Sequence, residues 1–583
     1  MMQYGGGGQL CAYRDSIRRA SVPGGQCRSA LRFFPASSDH SSPSSSPALD
    51  ASDTCSTVSL SFSSDSDLFF SGRLDGAEEL RDIALQMVHD GYMKGLIRSF
   101  GAAGGSSSAH CGGLGPGPEE LLLGTWFSEL DVEWVLHTGE GDEVQPHLLE
   151  DGCASLLDLM ESWIKGLKTM VQVLSFTQLG LLAKGPAVSG VGKAIRHFML
   201  LATGKMAERE QEVAQFVRFA EASILRMLEF VDAVADAALN DGDDDQAAET
   251  LPGMLQVYTC VVDDSPTVLA LFKEASGTTS MFDAMNKVFL RKRSKLSDAI
   301  WSMMEKVRAS FLKDDCWRVS PADEAGGVHE TTRLMMNYVT LLWRNEGALD
   351  FVLQDQQRRF KIFLSEPDDH CSSSAADLIK KMISCLEKQL EKASSFIPDP
   401  GSPGLRYIFL MNNCSFISEK VSSLLLLPLE DYKIEESRGS RDRERLSLED
   451  CVNQPDRSIR ATIERDSNLD GLIKIQNFME AYLDVSWEPV MSCLYHDIPR
   501  GFLRCGGALD KFESEFQRTY AAHRMWKVPN PELRKRLRKA VSEKVISGYS
   551  QYMTERTARG KSNRPATRTP LDLEELLEEL FEG

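Results

Sequence analysis

Several stretches of this chain carry side chains whose types and spacing invite chemistry. The run GPAVSGVGKAI (185–195) has the glycines and lysine of a phosphate-cradling loop. Such a loop needs a glycine five residues before its second glycine, and a Ser or Thr after the lysine to hold magnesium. Ala187 and Ala194 stand there instead, so the expected structure is a loop leading into a helix at Lys193. The acidic run Asp241, Asp243, Asp244 and Asp245 invites a calcium loop. Its sixth position holds Gln246 rather than glycine and its twelfth Pro252 rather than glutamate, which makes it a solvated turn. GGGG at 5–8 follows no strand and is no dinucleotide motif. Nucleophilic catalysis needs a thiol, a base and an orienting group together, and the 10 His and 13 Cys show no local signature of that. No C-x-x-C pair is present, so reduced thiols of a cytosolic protein are expected, without disulfide framework or zinc site. The reading is a protein that is not an enzyme and needs no cofactor or metal. Two modification strings remain. Asn413-Cys414-Ser415 fits a glycosylation sequon that a cytosolic chain would not use. Arg18-Arg19-Ala20-Ser21 resembles a basophilic kinase site in a flexible arm.

Charge supplies the stronger signal. The chain's formal net charge of −20 argues against general nucleic-acid binding. That average hides an asymmetry: Arg500–Arg568 carries 17 Lys or Arg against 6 Asp or Glu, and the 13 residues after Pro570 carry six acids and no base. A basic zone on an acidic protein is a candidate surface for anionic lipid headgroups or an acidic partner. Its densest part is Arg534, Lys535, Arg536, Arg538 and Lys539, on one short helical stretch. Each basic residue near an anionic membrane is worth roughly 1 kcal/mol, so several together could hold a peripheral protein reversibly. The competing reading is a solvated helix face whose Arg stems cover apolar neighbours and pair with local acids.

The elements that must position these residues read as helices almost throughout. At ~100–200 residues per domain, the length suggests roughly three or four units or one extended multi-bundle rod. Residues 1–77 form a Ser/Gly-rich arm expected to be disordered. Residues 78–200 form an N-terminal helical region with a helix over 78–100, a flexible linker at 101–118, and Trp126 and Trp134 on a helix-like pattern in WFSELDVEWVL. Residues 201–583 form a C-terminal helical domain with a mobile loop at 433–466, a stretch rich in charge and poor in apolar residues.

Within that domain Val213, Phe216, Val217, Ala220, Ile224, Leu228 and Val231 recur at three- and four-residue steps, the period of one buried helix face. Ile379, Met382, Ile383, Leu386 and Leu390 repeat the pattern, as do Leu573, Leu576, Leu577 and Leu580 after the helix-start signal Pro570. Breaks are expected at 240–246, 321–327, 365–374 and 398–404. Alternating strand patterns are nearly absent. Short polar breaks between long helices predict an all-α fold, an elongated rod of consecutive helical bundles. No run approaches ~18 consecutive apolar residues, so no bilayer-spanning helix is expected. The start of the chain lacks a hydrophobic signal core.

A set of residues in the basic zone is more specific than periodicity. Phe512 and Phe516 precede Trp526, Val528, Pro529, Leu533-Arg534, Leu537-Arg538, Glu543-Lys544 and Tyr549. Upstream stand LIKKMISCLEKQLEKAS (378–394), LRYIFLMNNCSFISEKV (405–421) and SWEPVMSCLYHD (486–497), and TPLDLEELLEELFEG (569–583) closes the chain. Together these blocks resemble, in order, the seventy-kilodalton subunit family of the exocyst, in its plant-type branch. The resemblance implies a rod of stacked helical bundles in the cytoplasm, peripheral at the plasma membrane and tethering secretory vesicles there in exocytosis. It implies partners: other exocyst subunits, small GTPases and an anionic phosphoinositide membrane, and no nucleic acid. The lipid-binding set so implied is Arg534, Lys535, Arg536, Arg538, Lys539, Lys544 and Arg564. Phe512, Phe516 and Trp526 are expected in the core, Pro529 in the turn between two helices, and Asn412-Asn413 at a helix boundary or bonded to backbone.

The chain also departs from the family. His523 stands where the family usually has Gln, and Ser547 and Ser550 where it usually has Pro and a basic residue. PATR (565–568) replaces a Lys- and Tyr-containing run, leaving Arg564 as its one basic position. The charged stretch 433–466 replaces a Trp/basic segment, and the N-terminal region lacks the sustained apolar heptads of a coiled coil. These departures favour an alternative on the same fold: a diverged, exocyst-independent adaptor, effector target or decoy in plant immunity.

Overall fold

A computed structural model of the protein describes residues 11–22, 72–104, 117–137, 156–182, 205–240, 244–276, 279–317, 326–363, 374–397, 404–426, 457–495, 507–558 and 568–583. Among them the fold is all-α. The helices are α1 (Cys11–Arg19), α2 (Gly72–His89), α3 (Tyr92–Gly104), α4 (Pro118–Glu129), α5 (Leu156–Leu182), α6 (Lys205–Asn240), α7 (Asp244–Ser276) and α8 (Thr279–Phe311). There follow α9 (Glu330–Arg344), α10 (Glu346–Phe363), α11 (Ala375–Ser394), α12 (Leu405–Leu426), α13 (Arg457–Ser486), α14 (Glu488–Tyr495), α15 (Ala508–Arg524), α16 (Pro531–Ala558) and α17 (Pro570–Glu578). No described helix is long and apolar enough to cross a membrane. The phosphate-loop look-alike at 185–195 lies outside the described residues.

The chain divides into two compact units: residues 1–307 with 354–366, and residues 308–353 with 367–583. The sequence placed its boundary at 200 instead. The long amphipathic helices α6 and α7 carry no signal that distinguishes a boundary between units from a turn within one.

The first unit is built on aromatic packing. Trp126, Trp163, Phe219, Phe230 and Tyr258 are fully buried, and the Trp163 indole N–H donates to the Met227 carbonyl at 2.8 Å. Apolar residues at helical steps on α6, such as Phe216, Ala220, Ile224, Leu228 and Val231, enter that core. Burying each large apolar side chain is worth about 1.5–3 kcal/mol, which is why periodicity predicts the helix so well.

Four expectations here are corrected. The arm 1–77 contains α1, which packs through Ile17, Ala20 and Val22, and the first residues of α2. Apolar Ile17 and Val22 are too sparse to register as a periodic helix. The single helix over 78–100 is instead two, broken at Gly91, whose φ of +73° suits glycine. The WFSELDVEWVL pattern is interrupted at Asp131, at φ +61°, where α4 gives way to a 3₁₀ turn at Glu133–His137. Asp131 is held there by Arg14 at 3.0 Å and Arg18 at 2.6 Å, so Arg18 of the kinase-like string is tied down rather than flexible. The linker 101–118 begins as the end of α3 and ends as the start of α4, and 105–116 lies outside the described residues.

The second unit repeats the logic with clearer caps. The Ser374 hydroxyl accepts from the Asp377 amide at 3.2 Å and starts α11, whose Ile379, Met382, Ile383, Leu386 and Leu390 are buried. The four predicted breaks fall between helices, the first overlapping the ends of α6 and α7. The loop predicted at 433–466 is corrected at its end, since α13 begins at Arg457; the remainder lies outside the described residues.

Candidate anionic-membrane interface

The basic residues sit on α16 because of what its opposite face must bury. Leu533, Leu537, Val541, Val545 and Tyr549 recur at four-residue steps and are all buried. That stripe forces the intervening Arg and Lys toward the edges and the outer face. Asn530 starts the helix: its side-chain oxygen accepts from the Glu532 and Leu533 amides, each at 3.0 Å. Pro531 occupies the first helical position, where a missing N–H costs nothing. Pro529 lies between α15 and α16, as expected.

α17 packs beside α16 and is capped by Thr569 and Asp572, each side chain accepting from the other's amide. Leu573, Leu577 and Leu580 of the leucine repeat are fully buried, while Leu576 is half-buried. Beyond α17 the chain turns back at Phe581, whose φ is +64°, and Glu582 forms an antiparallel bridge with Lys527. An open cleft of about 840 Å³ results, lined by Arg534, Lys535, Arg538 and Lys539 and also by Glu543, Glu574 and Glu578.

The basic set divides by what each member does. Arg534 meets the Glu582 carboxylate at 2.9 Å. Arg538 meets the other oxygen of the same carboxylate and donates to the Leu580 carbonyl at 2.9 and 2.6 Å. Hydrogen bonding from Arg538, helped by the charges of both arginines, outweighs the cost of desolvation and holds the Glu582 carboxyl below its usual range. Lys544 bridges α16 to Asp484 of α13 at 3.1 Å and Glu488 of α14 at 2.9 Å. Burial works against its charge, but Glu488 and Asp484 outweigh it and raise its pKa. These three cations serve the fold. Lys539 is three-quarters exposed and lies 3.8 Å from Glu543, a weak solvent-screened pair. Lys535 is exposed and Arg536 half-buried, and neither has an ion-pair partner among the described residues. Arg564 lies outside the described residues; Arg568 pairs with Glu513 at 2.7 Å.

Beneath this surface Phe512, Phe516 and Trp526 are buried, as expected. His523, which stands where the resembled family has Gln, is buried with them. Its ring stacks on Trp526 at 3.7 Å between centroids, and its Nδ1 lies 3.0 Å from the Tyr482 hydroxyl. That hydroxyl accepts from the Trp487 indole N–H at 2.8 Å. The chain of bonds is satisfied when Tyr482 donates to a neutral imidazole. Burial alone pushes the His523 pKa down to about 3.

The Asn pair lies in the middle of α12 rather than at a boundary, which corrects half of that expectation; both residues do bond backbone. Asn413 is fully buried, accepts from the His329 amide at 3.0 Å and the Thr332 hydroxyl at 2.8 Å, and donates to the Phe409 carbonyl at 2.8 Å. It is therefore no glycan acceptor. Asn412 donates to the Gly326 carbonyl and to the Lys527 carbonyl, the latter at 2.8 Å. Gly326, at φ +85°, could hold no side chain, since an added Cβ would meet Ile408 at 2.9 Å.

Sequence reasoning missed Glu582 as the counter-ion of the basic helix. The signal was present, since the acid-only segment follows the basic zone directly, but the two were read separately.

Comparison with known proteins extends beyond this surface. The family model for the C-terminal region of Exo70, an exocyst complex subunit, matches residues 161–579. The Arabidopsis thaliana exocyst complex component EXO70E2 is 24% identical over 375 residues, covering 63% of this chain and 50% of that protein. EXO70A1 of the same plant is 24% identical over 407 residues, covering 66% and 56%. The chain spans about half the length of the curated relatives it matches. The crystal structure of the S. cerevisiae exocyst component Exo70p aligns over 87% of this chain and 98% of that one, at 11% identity and a TM-score of 0.32. With the family match running from α5 through α17, the chain belongs to the Exo70 family of exocyst proteins.

Proposed function

We propose that this protein acts as an exocyst subunit that tethers secretory vesicles to the plasma membrane, by binding and not by catalysis. The observation that carries the reading is the family match over residues 161–579. One set of surfaces engages other exocyst subunits, with small GTPases as further partners. The outer face of α16 engages anionic phosphoinositide headgroups, so that the protein works in the cytoplasm, peripheral at the plasma membrane.

Lys535, Arg536 and Lys539 supply the first contact, because none of them is held by a buried acid among the described residues. Arg534 and Arg538 flank them along the cleft, Lys544 sits one to two turns on, and Arg564 completes the set. Two exposed cations and the half-buried Arg536, at roughly 1 kcal/mol each, give reversible docking, which suits a tether that must release. The chain recovered by affinity purification from plant cells should carry other exocyst subunits in fixed proportion. Recovery without any of them, from cells where exocyst is intact, would favour an adaptor on the same fold.

A further inference from the structure

The groups that face Arg534 and Arg538 belong to the chain itself. The two guanidinium groups, one helical turn apart, take one oxygen each of the Glu582 carboxylate. Such convergence on one anion is how arginines recognise a carboxylate or a phosphate. We propose that the segment Leu580–Glu582 is an internal latch, with the Glu582 carboxylate occupying an arginine clamp from which a phosphate-bearing headgroup displaces it.

Three observations support displacement over a permanent structural pair. Glu582 is 56% exposed, so the exchange takes place at the rim of the cleft. Arg534 is only 25% exposed, and its Nε is buried without a partner. The resident carboxylate leaves that donor unmet, whereas a phosphate monoester offers a third acceptor oxygen. The segment is also held without Glu582: Phe581 is fully buried, its amide donates to the His523 carbonyl at 3.3 Å, and its carbonyl accepts from the Val528 amide at 3.4 Å. Losing the Glu582 contact therefore does not require unfolding. Against these stand Glu574 and Glu578, which line the same cleft as Lys535 and Lys539 and repel an incoming anion.

The inference rests on the membrane-binding reading, and its test separates the two. Wild type and Glu582→Gln are titrated with phosphatidylcholine vesicles with and without phosphatidylinositol 4,5-bisphosphate, and by calorimetry with soluble inositol 1,4,5-trisphosphate. Freeing two arginines should tighten binding of E582Q by about five- to thirty-fold with both ligands. The gain should shrink as salt rises. A gain on phosphoinositide vesicles without one on the trisphosphate overturns phosphate recognition at the clamp. Equal affinities for wild type and E582Q overturn the latch and leave membrane binding standing. Binding by neither protein removes the membrane reading and the latch with it. A second readout needs no substitution: the Val528 amide, bonded to the Phe581 carbonyl, should keep its slow exchange when phosphoinositide vesicles bind wild type, because only the Glu582 side chain leaves the clamp. Quickened exchange on bound protein counts against a latch that opens within a held segment.

Discussion

Replacing His523 with glutamine is expected to remove a dependence of stability on pH that the wild-type chain carries. His523 is fully enclosed by Trp526, Trp487 and Tyr482, and burial lowers its pKa from about 6.5 to about 3. The unfolded chain therefore binds a proton between these values that the folded chain refuses. Stability contributed by the neutral ring is fully present above pH ~6.5 and is lost progressively as pH falls toward ~3. At about 1.36 kcal/mol per unit, the full span is on the order of 4–5 kcal/mol, and the loss between pH 7 and pH 4.5 is about 2–3 kcal/mol. Carboxylates titrate over the lower part of this range, so the informative quantity is the difference between two proteins. Glutamine keeps an acceptor for the Tyr482 hydroxyl and cannot take up the proton. Urea unfolding followed by tryptophan fluorescence reads the site directly, because Trp487 and Trp526 both touch the imidazole. H523Q should lose about 2–3 kcal/mol less than wild type between pH 7 and pH 4.5. Parallel pH profiles would refute the reasoning and mean that the imidazole is solvated or paired with an acid.

Asn413→Ala would orphan the His329 amide and the Thr332 hydroxyl, at ~1–3 kcal/mol each. Hydrogen exchange at the His329 amide should quicken by about two orders of magnitude or more, and retained protection would count against the assigned bonds. Leu577→Ala opens a cavity under α17 and should cost about 2–5 kcal/mol in urea unfolding. Lys544→Glu sets a third carboxylate against Asp484 and Glu488. It should lower the melting temperature more at low salt than at high salt.

Legibility in the sequence followed the physical range of each interaction. Helices whose burial depends on neighbours three and four residues away, such as α6, α11 and α17, could be read from Phe216 to Val231, Ile379 to Leu390 and Leu573 to Leu580. Asp131 broke a helical pattern because its carboxylate answers Arg14 and Arg18, far away along the chain, and no local rule contains that. The same holds at the basic helix. Composition found Arg534 and Arg538, but that Glu582 engages them depends on a turn at Phe581. Lys544 reads as one more cation in a basic run, yet it joins three helices. Lys535 and Lys539 stay at the surface because the buried stripe from Leu533 to Tyr549 faces the other way, a geometry that the four-residue period gives directly.

The most direct test of membrane tethering through α16 is sedimentation with liposomes, with and without phosphatidylinositol 4,5-bisphosphate, at two salt concentrations. The variant to compare carries Lys535→Glu, Arg536→Glu and Lys539→Glu, which spares the cations that hold Glu582, Asp484 and Glu488. Docking through this face predicts phosphoinositide-dependent, salt-sensitive binding by wild type that the folded variant loses. Equal binding by both proteins would place the contact elsewhere, and no binding by folded wild type would contradict membrane tethering by this chain.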